Sequence, residues 1–185
     1  MRYDLSRIIR TLTHTGVSIG VRGEFIYDGA ASITDTGANF ISVLPVTIEG
    51  WIKALSVGGT AGRILDNGKF QLQIAAAGNK LALTSDGATL VNSAANSIPY
   101  SEWMYIVATR TTAGLVNFYI DGILSGPADQ DSGTPTDTAA TNVFMGNRSA
   151  ADRGFDGSLI LRVYNEIWTP QQAANTYDKS KRRFF

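Results

Sequence analysis

The chain has 185 residues, 44% of them apolar, with sixteen basic and sixteen acidic side chains, one histidine and no cysteine. One all-β domain fits that length and apolar content; the lack of cysteine excludes disulfides and thiol chemistry, and His14 alone is too little imidazole for a structural zinc site. No run approaches the ~18 apolar residues of a membrane helix. The start Met1-Arg2-Tyr3-Asp4-Leu5 has no secretory-signal pattern, so synthesis in a cytoplasm without membrane attachment is the expectation.

In chain order, Leu5, Ile8, Ile9 and Leu12 have helix-like spacing, but the run is short and ends at Thr13-His14-Thr15-Gly16, so a small helix and an extended arm are both open; we read residues 1–24 as an arm. Strands are expected from Phe25 onward. Val46 to Lys53 alternates, with Val46, Ile48 and Ile52 opposite Thr47, Glu49, Trp51 and Lys53. Arg63 to Asp66 and Lys69 to Ile74 flank Asn67-Gly68, a hairpin signal, and Leu81 to Thr84 and Thr89 to Val91 follow around Ser85-Asp86-Gly87. Trp103 opens a run that is apolar on both parities, as in a strand covered on two faces. Leu115 to Ile120 then reaches Asp121-Gly122, a turn pair that supplies positive φ. Residues 126–141 read as a long rim loop, and Val143 to Met145 and Ser158 to Tyr164 complete the strands. Thr169-Pro170-Gln171-Gln172 carries an N-cap threonine, proline at the first helical position and glutamine three after the cap, so one short helix closes the domain with Ala173, Ala174 and Tyr177 toward the sheet.

Charge is uneven along the chain. Residues 1–24 hold four arginines against Asp4 and Glu24, and residues 178–185 hold Lys179, Lys181, Arg182 and Arg183 against Asp178, which leaves an acidic middle. Basic ends on an acidic body fit either solubilising tails or docking segments. The docking reading uses Arg2, Leu5, Arg7, Ile8, Ile9 and Arg10 at one end and Arg182, Arg183, Phe184 and Phe185 at the other.

The succession Phe25-Ile26-Tyr27-Asp28-Gly29, Thr47-Ile48-Glu49-Gly50-Trp51-Ile52, Trp103, Tyr119-Ile120-Asp121-Gly122, Met145-Gly146-Asn147, Phe155-Asp156-Gly157 and Val163-Tyr164-Asn165 resembles the laminin-G-like, or concanavalin A-like, jelly-roll domain. The resemblance runs from about Phe25 to Tyr177, and it lies in the order and spacing of these motifs together. It implies an all-β antiparallel sandwich over residues 25–177, an arm over 1–24 and a basic tail over 178–185, with ligand sites on the concave face or the loop rim and calcium in some members. Ser158-Leu159-Ile160-Leu161-Arg162 departs from the acidic pair that many members carry there. The cytoplasmic-type start and the closing segment Asp178 to Phe185 are also similar to domains of bacteriophage structural proteins.

Candidate chemistry is sparse. Glycoside hydrolysis needs two carboxyl groups flanking the sugar bond, and Glu49, Glu102 and Glu166 are each isolated. A serine triad would have only His14, in the arm. For calcium, Asp129-Gln130-Asp131-Ser132-Gly133 has its glycine one position early for an EF-hand and no closing glutamate, so the ligands to consider are Asp129, Asp131 and Asn147, with a solvated loop as the plainer reading and no cofactor expected. For sugar, Trp51 is either a stacking plane on an exposed sheet or a core residue, and Glu49, Asn147 and Arg148 are the polar groups to join it. Arg148 and Arg153 can instead pair with Asp152 and Asp156.

The expectation from sequence is a non-enzymatic virion surface protein, a capsid decoration or tail-associated subunit, with a lectin-like sandwich that binds glycans. Its expected partners are other virion proteins or copies of itself, and host-surface or environmental glycans; nucleic acid is not expected, because the basic residues are terminal. The alternatives are a free carbohydrate-binding module and, last, a glycoside hydrolase.

Overall fold

The computed structural model describes the backbone of residues 2–4 and all of residues 13–41, 43–136 and 141–185. Its strands are β1 (Arg2–Asp4), β2 (Thr13–Thr15), β3 (Ser18–Ile19), β4 (Phe25–Asp28), β5 (Ile33–Asp35), β6 (Val46–Ala54), β7 (Arg63–Asp66) and β8 (Gln71–Ile74). They continue as β9 (Leu81–Thr84), β10 (Val91–Asn92), β11 (Met104–Arg110), β12 (Leu115–Ile120), β13 (Ile123–Leu124), β14 (Gln130–Asp131), β15 (Phe144–Met145) and β16 (Asp156–Tyr164). Helix α1 (Pro170–Ser180) and a 3₁₀ turn (Lys181–Arg183) follow.

The strands form two antiparallel sheets. One has nine strands, with the path β13-β12-β11-β6-β16-β4-β3, β1 beside β16 and β14 beside β12; the other has seven, in the order β10-β9-β8-β7-β15-β5-β2. Alternation along β6 decides which side chains meet between them: Val46, Ile48 and Ile52 enter the core with Leu159, Leu161 and Val163 of β16 and Ile106 and Phe118 of β11 and β12. Leu65, Leu72, Ile74, Leu81, Leu83 and Met145 face them from the second sheet. Each fully buried side chain of this kind contributes about 1.5–3 kcal/mol. This is the jelly-roll sandwich expected from the sequence.

The outer face of the nine-stranded sheet is also closed. Trp51, Tyr105, Val107 and Tyr119 point away from the main core and pack under Ala173 of α1 and Trp168, with Trp103, Tyr177 and Phe184 at the margin. The helix starts as its sequence predicts: Gln172 N–H donates to Thr169 Oγ1 at 3.2 Å, and Thr169 N–H donates to Gln172 Oε1 at 2.7 Å. Gly122, at φ +80°, ends the β12 turn where an added Cβ would stand 2.9 Å from Ala174 Cα, so this turn and the helix seat each other.

Two boundaries differ from expectation. The arm over 1–24 is corrected, because β1, β2 and β3 lie within it and pair with β16, β5 and β4. Short polar runs such as Thr13-His14-Thr15 carry no apolar pattern; their pairing comes from tertiary contacts, with His14 Nδ1 2.8 Å from Thr34 Oγ1 and its ring stacked 5.2 Å from Phe25. The tail over 178–185 is corrected too: α1 runs to Ser180, and Phe184 stacks on Trp51 with centroids 4.2 Å apart and planes inclined by 16°. Asn67-Gly68 does turn the chain, but within the four-residue loop Asn67 to Phe70. Asn67 N–H donates to Phe70 O, and Asn67 Oδ1 accepts from the N–H groups of Lys69 and Phe70.

Candidate functional site

With α1 and the tail on one sheet, no helix among the described residues lies on the outer face of the other. Register partners of an antiparallel sheet project to one side, which puts Thr13, Asp35, Phe144, Asp66, Gln71 and Thr84 in a single row across six strands. Beside it run Arg63, Gln73, Ala82 and Asn92. Phe144 is half-buried between Asp35 and Asp66, which stand two strand spacings apart, about 10 Å along the sheet.

A β-bulge builds the centre of this face. Arg63 pairs with Gln73 and Leu65 with Leu72, so Ile64 is the extra residue. Ile64 and Leu65 then both turn inward, each fully buried, and Arg63 and Asp66 both turn outward. Arg63 Nε lies 3.0 Å from Asp66 Oδ2. Arg63 is 7% and Gln73 6% exposed, yet Arg63 Nη1 and Gln73 Oε1 have no hydrogen-bond partner in the protein. A donor and an acceptor left unpaired on cross-strand neighbours are what one hydroxyl group satisfies, that of a water or of a ligand, since it accepts and donates at once.

Burial dominates the electrostatics here. It pushes the Asp66 carboxyl above its ordinary range, opposed by the Gly68 N–H at 2.7 Å and by the Arg63 charge. Burial also lowers Arg63, opposed by Asp66 and reinforced by the charges of Arg153 and Arg148. A guanidinium stays protonated in a protein, and the Arg63 charge is paired with Asp66, so the centre of the face is polar with its cation matched.

Trp51 is not the exposed stacking plane that one of the two sequence readings required. Trp51 is 3% exposed beneath Phe184, and its indole Nε1 donates to Ser180 Oγ at 3.1 Å. Glu49, 1% exposed, is held by Arg162 Nη1 at 2.9 Å. The reason is the helix, which sequence placed on a sheet without showing which aromatic it would cover. Asn147 is fully buried and lies in a different place: its Nδ2 donates to the carbonyls of Ala30 and Ser32, and its Oδ1 accepts from the N–H groups of Arg148 and Arg153. Arg148 pairs with Asp152, the plainer alternative, and that hydrogen bond raises its guanidinium and lowers the Asp152 carboxyl.

The three calcium candidates are not brought together. Asp129 Oδ1 accepts from Asn117 Nδ2 at the β12 edge, and Asp131 Oδ1 accepts from Gly133 N–H in its own turn. Among the described residues no group of three or more histidines and carboxylates is placed to hold a metal ion. Of the docking candidates, Leu5, Arg7, Ile8, Ile9 and Arg10 lie outside the described residues, and Arg2 is described as backbone in β1. Phe184 packs within its own chain, whereas Arg182, Arg183 and Phe185 are exposed.

Arg63, Asp66, Gln73 and Phe144 were not singled out by sequence. Counting parity along Arg63-Ile64-Leu65-Asp66 puts the two charged residues on opposite faces, and only the bulge reverses that. The one signal was a charged residue at each end of a short apolar pair.

The fold recurs in solved structures. The binding domain of Paraclostridial Mosquitocidal Protein 1 superposes with a TM-score of 0.66 at 16% identity, covering 91% of this chain and 47% of that one. Domain 4 of AbnA, a GH43 extracellular arabinanase from Geobacillus stearothermophilus in complex with arabinotriose, gives 0.63 at 18%, covering 88% and 80%. Botulinum neurotoxin type C, whose cell entry depends on interaction with two ganglioside molecules, gives 0.61 at 11%, covering 91% and 46%. The chain spans about half the length of the toxin structures it matches. No curated protein matches it. The model of the family described as the concanavalin A-like lectin/glucanases superfamily, of laminin-G type, matches residues 27–174, and with its two-sheet architecture the chain belongs to that family.

Proposed function

We propose that the protein is a non-catalytic, lectin-like module that binds a glycan on the outer face of its seven-stranded sheet. The observation that carries this reading is the pair of unpartnered polar atoms, Arg63 Nη1 and Gln73 Oε1, on the same face as the half-buried ring of Phe144. An aromatic edge with a few fixed polar groups is the composition of a sugar subsite. Glycan recognition by structures of this fold, arabinotriose with the arabinanase domain and gangliosides with the neurotoxin, supports it. The non-catalytic part is supported by the carboxylates: Glu49 is buried against Arg162, and Asp66 is held by Arg63.

The test is a glycan array followed by titration, with arabinotriose as the first soluble probe. Phe144→Ala and Gln73→Ala should each weaken binding at least about tenfold, the loss of one stacking or hydrogen-bonding contact of about 1.4 kcal/mol, with unchanged circular dichroism. Undiminished binding by both variants would place the ligand elsewhere. Release of reducing ends from the bound oligosaccharide would overturn the non-catalytic part. For the setting, we propose a virion surface, supported by the resemblance of the segment Asp178 to Phe185 to phage structural domains.

A further inference from the structure

Arg22, from the first basic stretch, meets the second in space. Arg22 Nε donates to the Arg183 carbonyl at 3.4 Å, Arg183 Nη2 donates back to the Arg22 carbonyl, and both guanidinium groups stand about 6 Å from the Phe184 ring centroid, at 6.0 and 5.9 Å. Between this turn and β16 opens a cleft of about 460 Å³, within the size range of small-molecule sites. Its walls carry Arg162, Lys179, Arg182 and Arg183 beside Trp51 and Phe184, and among the described residues none of its lining side chains is acidic. Arg162 is matched by the buried Glu49, and the nearby Asp178 is paired with Lys181 at 2.7 Å. Among the described residues, Lys179 and Arg182 have no carboxylate partner. The cleft therefore keeps an excess of positive charge over a floor of aromatic rings.

We infer that this cleft is a second ligand site, one that takes the anionic group of an acidic sugar. Guanidinium forks bind carboxylate and sulfate oxygens in pairs, and the apolar edge of Phe184 offers the sugar's carbon skeleton a surface. A nucleic-acid ligand would need open aromatic faces for its bases, and Trp51 is 3% exposed with Phe184 on its face. The identity of the ligand as a sugar rests on the glycan-binding reading above; the charge preference rests on the cleft alone.

The experiment follows the Trp51 indole N–H, which donates to Ser180 at the cleft, by two-dimensional NMR of the full chain. Sialyllactose and digalacturonate are titrated against neutral lactose, with sodium sulfate as a bare anion. The acidic sugars should shift that resonance, their affinity should fall with rising salt, and the double variant Lys179→Glu/Arg182→Glu should weaken them at least tenfold. Both positions are exposed, so the variant should fold, and Phe144→Ala should leave this response within twofold. Equal affinity in the double variant, or neutral binding at the sheet with no acidic-sugar response at Trp51, overturns this inference and spares the first reading. A response to sulfate with no response to either acidic sugar overturns the sugar assignment.

Discussion

Asn147 shows how a single polar side chain in a rim loop can be mistaken for a ligand. Its amide spans two chain segments, donating to Ala30 and Ser32 at 2.9 and 3.2 Å and accepting from Arg148 and Arg153 at 3.0 and 2.9 Å. All four partners are backbone groups, and the side chain is fully buried, so its truncation strands several of them. Asn147→Ala should cost about 2–4 kcal/mol and lower the thermal midpoint by roughly 4–16 °C, measured by circular dichroism, while binding at the sheet face survives in the folded fraction. The residue type was legible; its job was not, because nothing near Met145-Gly146-Asn147 in sequence names Ala30 or Ser32 as partners. Asp121 is the contrary case. Read from sequence as a turn residue, it sits at φ +50° and accepts from the Tyr105 N–H at 2.9 Å.

Among the elements, the closing helix was the most legible and the bulge the least. Thr169, Pro170 and Gln172 announce the helix start within four residues, and capping is local chemistry. Trp168 then packs in the same outer cluster as Ala173. What the helix carries past its end was beyond local rules: Phe184 covers Trp51, and Phe185 meets it edge-on at 5.7 Å. Phe184→Ala should lose about 0.5–1.5 kcal/mol of ring pairing in addition to buried area. It should also make Trp51 accessible, read as a red-shifted, more readily quenched tryptophan emission; unchanged quenching would mean the stack does not shield the indole. The bulge at Ile64 leaves no such local mark. Its evidence is the register against β8, and a periodicity count along β7 alone gives the wrong face for one of its two charged residues.

For the molecule as a whole, the order of motifs from Phe25 to Tyr177 was enough to identify the sandwich, since core alternation and turn residues repeat along it. The edges were not visible, because β1, β2 and β3 are only two or three residues long and owe their existence to the strands they join. A chain lacking residues 1–24 should therefore be destabilised by at least about 3 kcal/mol, some 6–12 °C in thermal midpoint, measured by urea and thermal unfolding; equal stability would show that these strands only decorate the sheets. The candidate face was illegible for the same reason. Its rows draw one residue from each of six strands scattered between Thr13 and Phe144, and no window of sequence contains them together.

The back-to-back arrangement of the two sheets has a consequence for valency. One outer face is polar and carries no helix among the described residues; the other bears the cationic cleft, and the core lies between them. Two binding sites that look in opposite directions cannot both engage one flat surface, so they add no avidity there. They can each hold a different surface, and a single copy of the chain would then act as a cross-linker, joining an acidic glycan on one side to a neutral one on the other.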